Sequence, residues 1–215
     1  MAEREAKSEA ERSQYTYKQW LTVEEFDRRG SKGGFYQERR EVIFLPNGER
    51  VEHLIGRPNS TLKNLRMTDE DFRDIREIQP LLFTTERVGL YETKLKGDEL
   101  IDGIDCWVLQ VRPRQILEGM RMFDGIFWVD KRDYSIVRSE GRAVPQIHST
   151  RPGKDNLFPY FTTVREKVGE YWFPVLTFAD DTLDFSSGPL RIKMTIRYKE
   201  YKRFGAESKI IVDEK

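Results

Sequence analysis

From Tyr15 onward apolar positions recur with a period of two. Tyr15, Tyr17, Leu21 and Val23 fall on one side and Thr16, Lys18, Thr22 and Glu24 on the other, which predicts a strand with one wet face. The polar stretch Gly30 to Gly34 leads into apolar runs at Glu41 to Leu45 and Val51 to Ile55, and Pro46-Asn47-Gly48 between them predicts a hairpin. Strand-like runs then recur at Arg87 to Lys96, Cys106 to Val111, Met122 to Asp130, Tyr134 to Ala143, Tyr160 to Val168, Tyr171 to Phe178 and Leu190 to Tyr201. Turn chemistry separates them at Lys96-Gly97-Asp98, Asp102-Gly103, Asp130 to Asp133, Gly169-Glu170 and Ser186 to Pro189. Such connections are too short for helical crossovers, so the strands form an antiparallel meander.

The alternation is clearest in the last run, where Leu190, Ile192, Met194, Ile196 and Tyr198 oppose Arg191, Lys193, Thr195, Arg197 and Lys199. Ile126-Phe127-Trp128-Val129 is apolar on both faces and predicts a central strand covered on both sides, a helix being one candidate cover. Helical signals are few. Residues 2–13 favour helix but offer almost no apolar stripe. Residues 57–67 read as loop. Thr68 is an N-cap followed by acidic first-turn residues, and Phe72, Ile75 and Ile78 give the segment to Gln79 a thin apolar edge before Pro80. The expected organisation is a charged helical or disordered tail at 1–14, one domain at 15–204 and a loose tail at 205–215, with a long loop at Pro145 to Asn156.

Composition narrows the function classes. Apolar residues are 38% and charged residues 34%, yet 13 Phe, 9 Tyr and 4 Trp suffice for a core and exclude wholesale disorder. Lys+Arg 37 balances Asp+Glu 37, which removes any general attraction for nucleic acid or anionic lipid and leaves only a local basic stripe. Cys106 is the sole thiol, so neither an intrachain disulfide nor a multi-cysteine zinc site forms. No run approaches the roughly 18 apolar residues of a transmembrane segment. The opening MAEREAKSEAERSQ lacks a secretory apolar region, so an envelope location requires a signal already removed.

Catalytic and metal chemistry find little support. His53 and His148 have no partner at metal-binding spacing, and Gly30, Gly33 and Gly34 follow no phosphate-loop pattern. Asp180, Asp181 and Asp184 lack an ion-binding loop's spacing and read as a solvated turn. Cys106, beside Trp107, reads as a small buried hydrophobe. The row Arg191, Lys193, Arg197, Lys199, Lys202 and Arg203 has a period of two and is interrupted by Glu200, so it reads as a wet sheet face, and aromatic residues interleave poorly with it, which disfavours an RNA-stacking platform. The expectation is no catalytic residue, no metal and no cofactor. What remains is shape: an apolar sheet face larger than one short helix can cover closes into a barrel, pairs with a second sheet, packs on itself as core, or holds an apolar ligand.

Three stretches carry a resemblance: Asp102-Gly103-Ile104-Asp105-Cys106-Trp107-Val108-Leu109-Gln110-Val111, Gly125-Ile126-Phe127-Trp128-Val129-Asp130-Lys131, and Ile136 to Gly141. Gly169 to Pro174 and Arg197 to Phe204 extend it. The pattern resembles the periplasmic outer-membrane lipoprotein-sorting family, the LolA/LolB-like group that includes the sensor RseB, over most of residues 15 to 204. The resemblance implies a mainly β (α+β) protein with few short helices, its meander curled into an unclosed half-barrel with a helical lid. It further implies a non-enzymatic periplasmic carrier of lipid or of lipoprotein acyl chains. The alternative is an envelope sensor or scaffold that engages a protein partner through a sheet edge or the 68–79 helix. The chain departs from the group in its missing leader and its charged first helix. On this reading the ligand cavity is lined by Trp107, Leu109, Val111, Ile192, Met194 and Ile196, and the lid carries Phe72, Ile75 and Ile78.

Overall fold

The computed structural model describes residues 1–27, 29–45, 48–81, 83–146, 159–185 and 188–204. Helix α1 (Ala2–Arg12) precedes β1 (Tyr15–Phe26), β2 (Lys32–Phe44), β3 (Arg50–Leu54) and the two-residue β4 (Asn59–Ser60). Helices α2 (Asp69–Glu77) and α3 (Thr85–Val88) follow. The meander then runs through β5 (Tyr91–Ile101), β6 (Ile104–Pro113), β7 (Met122–Asp130), β8 (Ile136–Val144), β9 (Phe161–Val168), β10 (Tyr171–Phe185) and β11 (Gly188–Arg203). All eleven strands form one sheet in the order β3-β2-β1-β11-β10-β9-β8-β7-β6-β5, with β4 beside β2. The ladders are antiparallel, and the end strands β3 and β5 do not meet, so the half-barrel stays open.

Period-two patterning builds the inner face. Tyr17, Leu21 and Val23 of β1 lie beside Ile192, Met194, Ile196 and Tyr198 of β11, all at most 3% exposed. Phe123 and Phe127 of β7 and Phe161 of β9 continue the layer, their rings 5.0 and 6.0 Å apart. Gly125 and Gly141 are directly opposed on β7 and β8, and the Phe123 ring lies where their side chains would be. A Cβ at either glycine would meet Phe123 Cζ at 2.5 or 2.6 Å, so only glycine admits the ring there.

The expected double cover of β7 is present, with unequal means. Phe127 and Val129 face the main core, while Trp128 faces a second cluster with Cys106, Val137 and Trp172. No helix is needed on that outer side, because the Trp rings cover it themselves. The Arg138 guanidinium lies 5.2 Å from the Trp128 ring centre and the Lys167 ammonium 5.6 Å from that of Trp172.

Several expectations are corrected. Lys96-Gly97-Asp98 is a bulge inside β5, with Gly97 at φ 147°, and not a turn. The tract 57–67 contains β4, and α3 forms where a strand was expected to begin. Strand β10 continues to Phe185, so Asp180, Asp181 and Asp184 sit on a strand and not in a turn. Asp180 takes both nitrogens of the Arg191 fork at 2.8 and 2.9 Å, with the Lys193 ammonium at 3.4 Å. The Arg191 hydrogen bonds hold its carboxyl below the usual range. Asp180 and part of the basic row thus satisfy each other across β10 and β11, while Asp181 accepts from the Tyr160 amide at 3.0 Å. Pro46-Asn47, Ser186-Ser187, His148 with most of the Pro145 to Asn156 loop, and the 205–215 tail lie outside the described residues.

Candidate functional site

The inner face is covered by α1, α2 and the residues Gln79 to Leu81 and Phe83, and polar bonds fasten each element. Thr68 caps α2 by accepting from Asp71 N at 3.2 Å, while the Asp71 carboxylate accepts from Thr68 N at 2.7 Å. Ile75 and Ile78 are buried in the main core, and Phe72 is half-buried with its ring 6.1 Å from that of Tyr36 on β2. The lid stripe is therefore docked. Beside it the Asp74 carboxylate receives Arg121 Nε at 2.8 Å and Nη2 at 2.6 Å. Further along, Gln79 Nε2 donates to Met194 Sδ at 3.5 Å and Thr163 Oγ1 donates to the Gln79 carbonyl at 2.8 Å.

The charged first helix is held the same way. Glu5, fully buried, accepts from Arg165 Nη1 at 2.8 Å and from the Ile136 amide at 3.2 Å, and Arg165 also donates to the Leu81 carbonyl. One guanidinium thereby ties α1 and Leu81 to β9 and β8. The loop before α2 is fixed by Glu25 of β1, whose carboxylate accepts the amides of Lys63, Asn64 and Leu65 at 2.7 to 3.1 Å. Neither carboxylate stood out in the sequence. Glu25 lies in phase with Tyr17, Leu21 and Val23 on the core side of β1, which was the available signal.

The six proposed cavity residues divide into two groups. Val111, Ile192, Met194 and Ile196 are at most 1% exposed and sealed beneath the cover. Trp107 and Leu109 pack against the same core but remain half-buried at the β5 and β6 end, which the helices leave bare. Register places Leu95 opposite Leu109, and Leu100 opposite Asp105 on the Trp107 side. Leu95 is 57% and Leu100 70% exposed, and Tyr134, 51% exposed, stacks on Trp107 with ring centres 5.5 Å apart. The inner face thus passes from a sealed core into an open strip of Leu109, Trp107, Tyr134, Leu95 and Leu100, crossed by Asp98 opposite Trp107 and Asp105 opposite Leu100, whose carboxylates both pair with Lys131 at 2.8 and 2.9 Å.

A second opening lies at the margin of α2. This 240 Å³ cleft is floored by Ile78, Leu90, Tyr91, Met120 and Met122 and rimmed by Arg73, Arg87 and Glu77. Burial pushes the Tyr91 phenol upward, so it stays protonated while accepting the Phe123 amide at 3.2 Å.

Similar chain paths occur in solved structures. A DUF1329 family protein from Desulfovibrio piger is 14% identical with a TM-score of 0.42, the match covering 96% of this chain and 95% of that one. A LolA superfamily protein from Nitrosomonas europaea is 13% identical with a TM-score of 0.39, over 92% and 93% of the two chains. A putative outer membrane lipoprotein-sorting protein domain from Vibrio parahaemolyticus is 10% identical with a TM-score of 0.38, over 95% and 93%. No family model and no curated protein matches the chain.

The remaining chemistry-bearing residues stay apart. His53 is exposed on β3 opposite Glu41. Cys106 is buried, and burial together with Asp130, Asp105 and Glu99 pushes its thiol up to about 11, the reverse of an activated nucleophile. Among the described residues no group of three or more His, Cys, Asp or Glu is placed to hold a metal ion, and no helix is long and apolar enough to cross a membrane. The free sheet edge at β5 carries Lys94, Lys96 and the Gly97 bulge, features that blunt an edge against strand addition.

Proposed function

We propose that the chain is a non-enzymatic binding protein for an acyl-type apolar ligand, acting as a lipid or lipoprotein carrier in the bacterial periplasm or cell envelope. The observation that carries this reading is the open strip of Leu95, Leu100, Leu109, Trp107 and Tyr134, continuous with the sealed core. An acyl chain laid on it gains about 0.8 kcal/mol for each CH2 it buries. In this reading Val111, Ile192, Met194 and Ile196 form the deeper part of the ligand site, reached when the segment carrying Phe72, Ile75 and Ile78 lifts. That motion breaks the buried Asp74–Arg121 pair and uncovers Ile75 and Ile78, so the acyl chain must replace the apolar contacts that the segment gives up.

The test is native mass spectrometry and solvent extraction of the purified protein, with titration of a fluorescent fatty acid. Co-purifying lipid or saturable binding, weakened by Leu109→Asp or Leu95→Asp, is expected. Hydrogen exchange in α2 should slow on adding fatty acid. No binding, or binding indifferent to both substitutions, overturns the proposal.

A further inference from the structure

The outer face of β1, β2 and β11 brings together residues that are scattered in the sequence. Trp20 on β1 lies opposite Arg39 of β2 and Arg197 of β11. The Arg39 guanidinium is 4.8 Å and the Lys199 ammonium 4.4 Å from the Trp20 ring centre. Cations from both neighbouring strands are thus held by one ring, which fixes them without neutralising them. Aromatic residues absent from the basic row of β11 are supplied by the adjoining strand.

Beside this stack is a 350 Å³ groove lined by Trp20, Thr22, Gln37, Arg39, Arg57 and Asn59, among others. It exists because the chain leaves the sheet between β3 and β4. The Ile55 amide donates to the Arg39 carbonyl at 2.8 Å, Gly56 turns at φ 79°, and the Thr61 amide returns to the Phe35 carbonyl at 2.8 Å. Arg57 stands on that excursion.

Among the described residues Arg39, Arg57, Arg197 and Lys199 form no salt bridge. Of the nearby acids, Glu24 pairs with Lys32, Glu200 with Lys18 and the groove's own Glu38 with Arg40, while Glu41, two positions along β2 from Arg39, forms no salt bridge among the described residues. Glu41 lies opposite Lys18. Uncompensated guanidinium groups, amide side chains and a hydroxyl facing a recess constitute a donor set for a tetrahedral oxyanion.

We propose that this outer-face groove binds a phosphate group, with Arg39 and Arg57 as its direct donors and Arg197 and Lys199 supplying further positive potential. The site is separate from the inner-face strip and does not depend on the apolar-ligand reading. A single-stranded nucleic acid fits less well. The Trp20 ring is occupied by cations and offers no base-stacking platform.

The experiment pairs calorimetric titration of the full chain with glycerol phosphate and co-sedimentation with phosphatidylcholine vesicles, with and without phosphatidylglycerol. Arg39→Gln/Arg57→Gln is compared with Lys94→Gln/Lys96→Gln, which removes equal charge at the far edge; thermal melts verify that both variants are folded. Binding in either arm that weakens about tenfold or more in the first variant and is unchanged in the second supports the proposal. Binding of glycerol phosphate then identifies a free phosphate compound as sufficient, whereas binding to phosphatidylglycerol vesicles alone identifies a lipid headgroup. No binding in either arm, equal loss in both variants, or binding solely to a single-stranded oligonucleotide overturns it.

Discussion

Asp74 on α2 and Arg121 at the entrance to β7 form a two-pronged ion pair at 2.6 and 2.8 Å, with both side chains at most 4% exposed. The cover of the inner face is therefore latched at a point where no water competes. Asp74→Ala, which leaves the Arg121 charge buried without this partner, should cost about 3 to 5 kcal/mol. The double substitution Asp74→Leu/Arg121→Met should recover most of that loss. Urea midpoints of the two variants check this, and equal destabilisation of both would refute it.

Ile75 and Phe72 divide the apolar contact of the lid. Ile75→Ala should cost about 2 to 4 kcal/mol because its side chain is buried, and Phe72→Ala less, about 1 to 2 kcal/mol, because it is half-buried. Both should increase binding of a hydrophobic dye by exposing the core. If α2 is only a connector, the melting temperature shifts and dye binding does not.

Gly141→Ala tests the glycine floor beneath Phe123. The added methyl meets the Phe123 ring and also the backbone carbonyl of Asp124. A loss of about 1 to 3 kcal/mol is expected. Trimming the ring with Phe123→Leu should not rescue it, because the carbonyl contact stays. Calorimetric melting of the single and double variants distinguishes the cases.

Cys106 has its thiol pushed up to about 11 from an ordinary 9.0, chiefly by burial. A raised folded-state value means that the folded chain holds the proton more tightly than the unfolded one. The corresponding stability is complete below pH 9 and is lost as pH rises through about 11. At pH 8 a thiol reagent should modify Cys106 only at the rate of unfolding, and rapid stoichiometric labelling of the native protein would contradict the burial.

The meander was legible in the sequence because strand faces alternate strictly and turns announce themselves. The run Leu190 to Tyr198 alone specifies which face of β11 is buried. Strand ends were less legible. β10 ran on to Phe185 because Asp180 found Arg191 and Lys193 across the ladder, and an acidic segment reads as a turn until its partners are known.

Tertiary structure alone decided the rest. The first helix has almost no apolar stripe, and periodicity cannot foresee that Glu5 docks it by meeting a buried Arg165 160 residues away. Periodicity likewise groups Trp107 and Leu109 with Ile192 and Met194, whereas the cover seals the latter pair and stops short of the former. Patterning along a chain determines which face of a strand turns inward, because the pleat has a period of two. Which charges meet, and which part of an inner face stays open, depends on contacts between strands that sequence order does not contain.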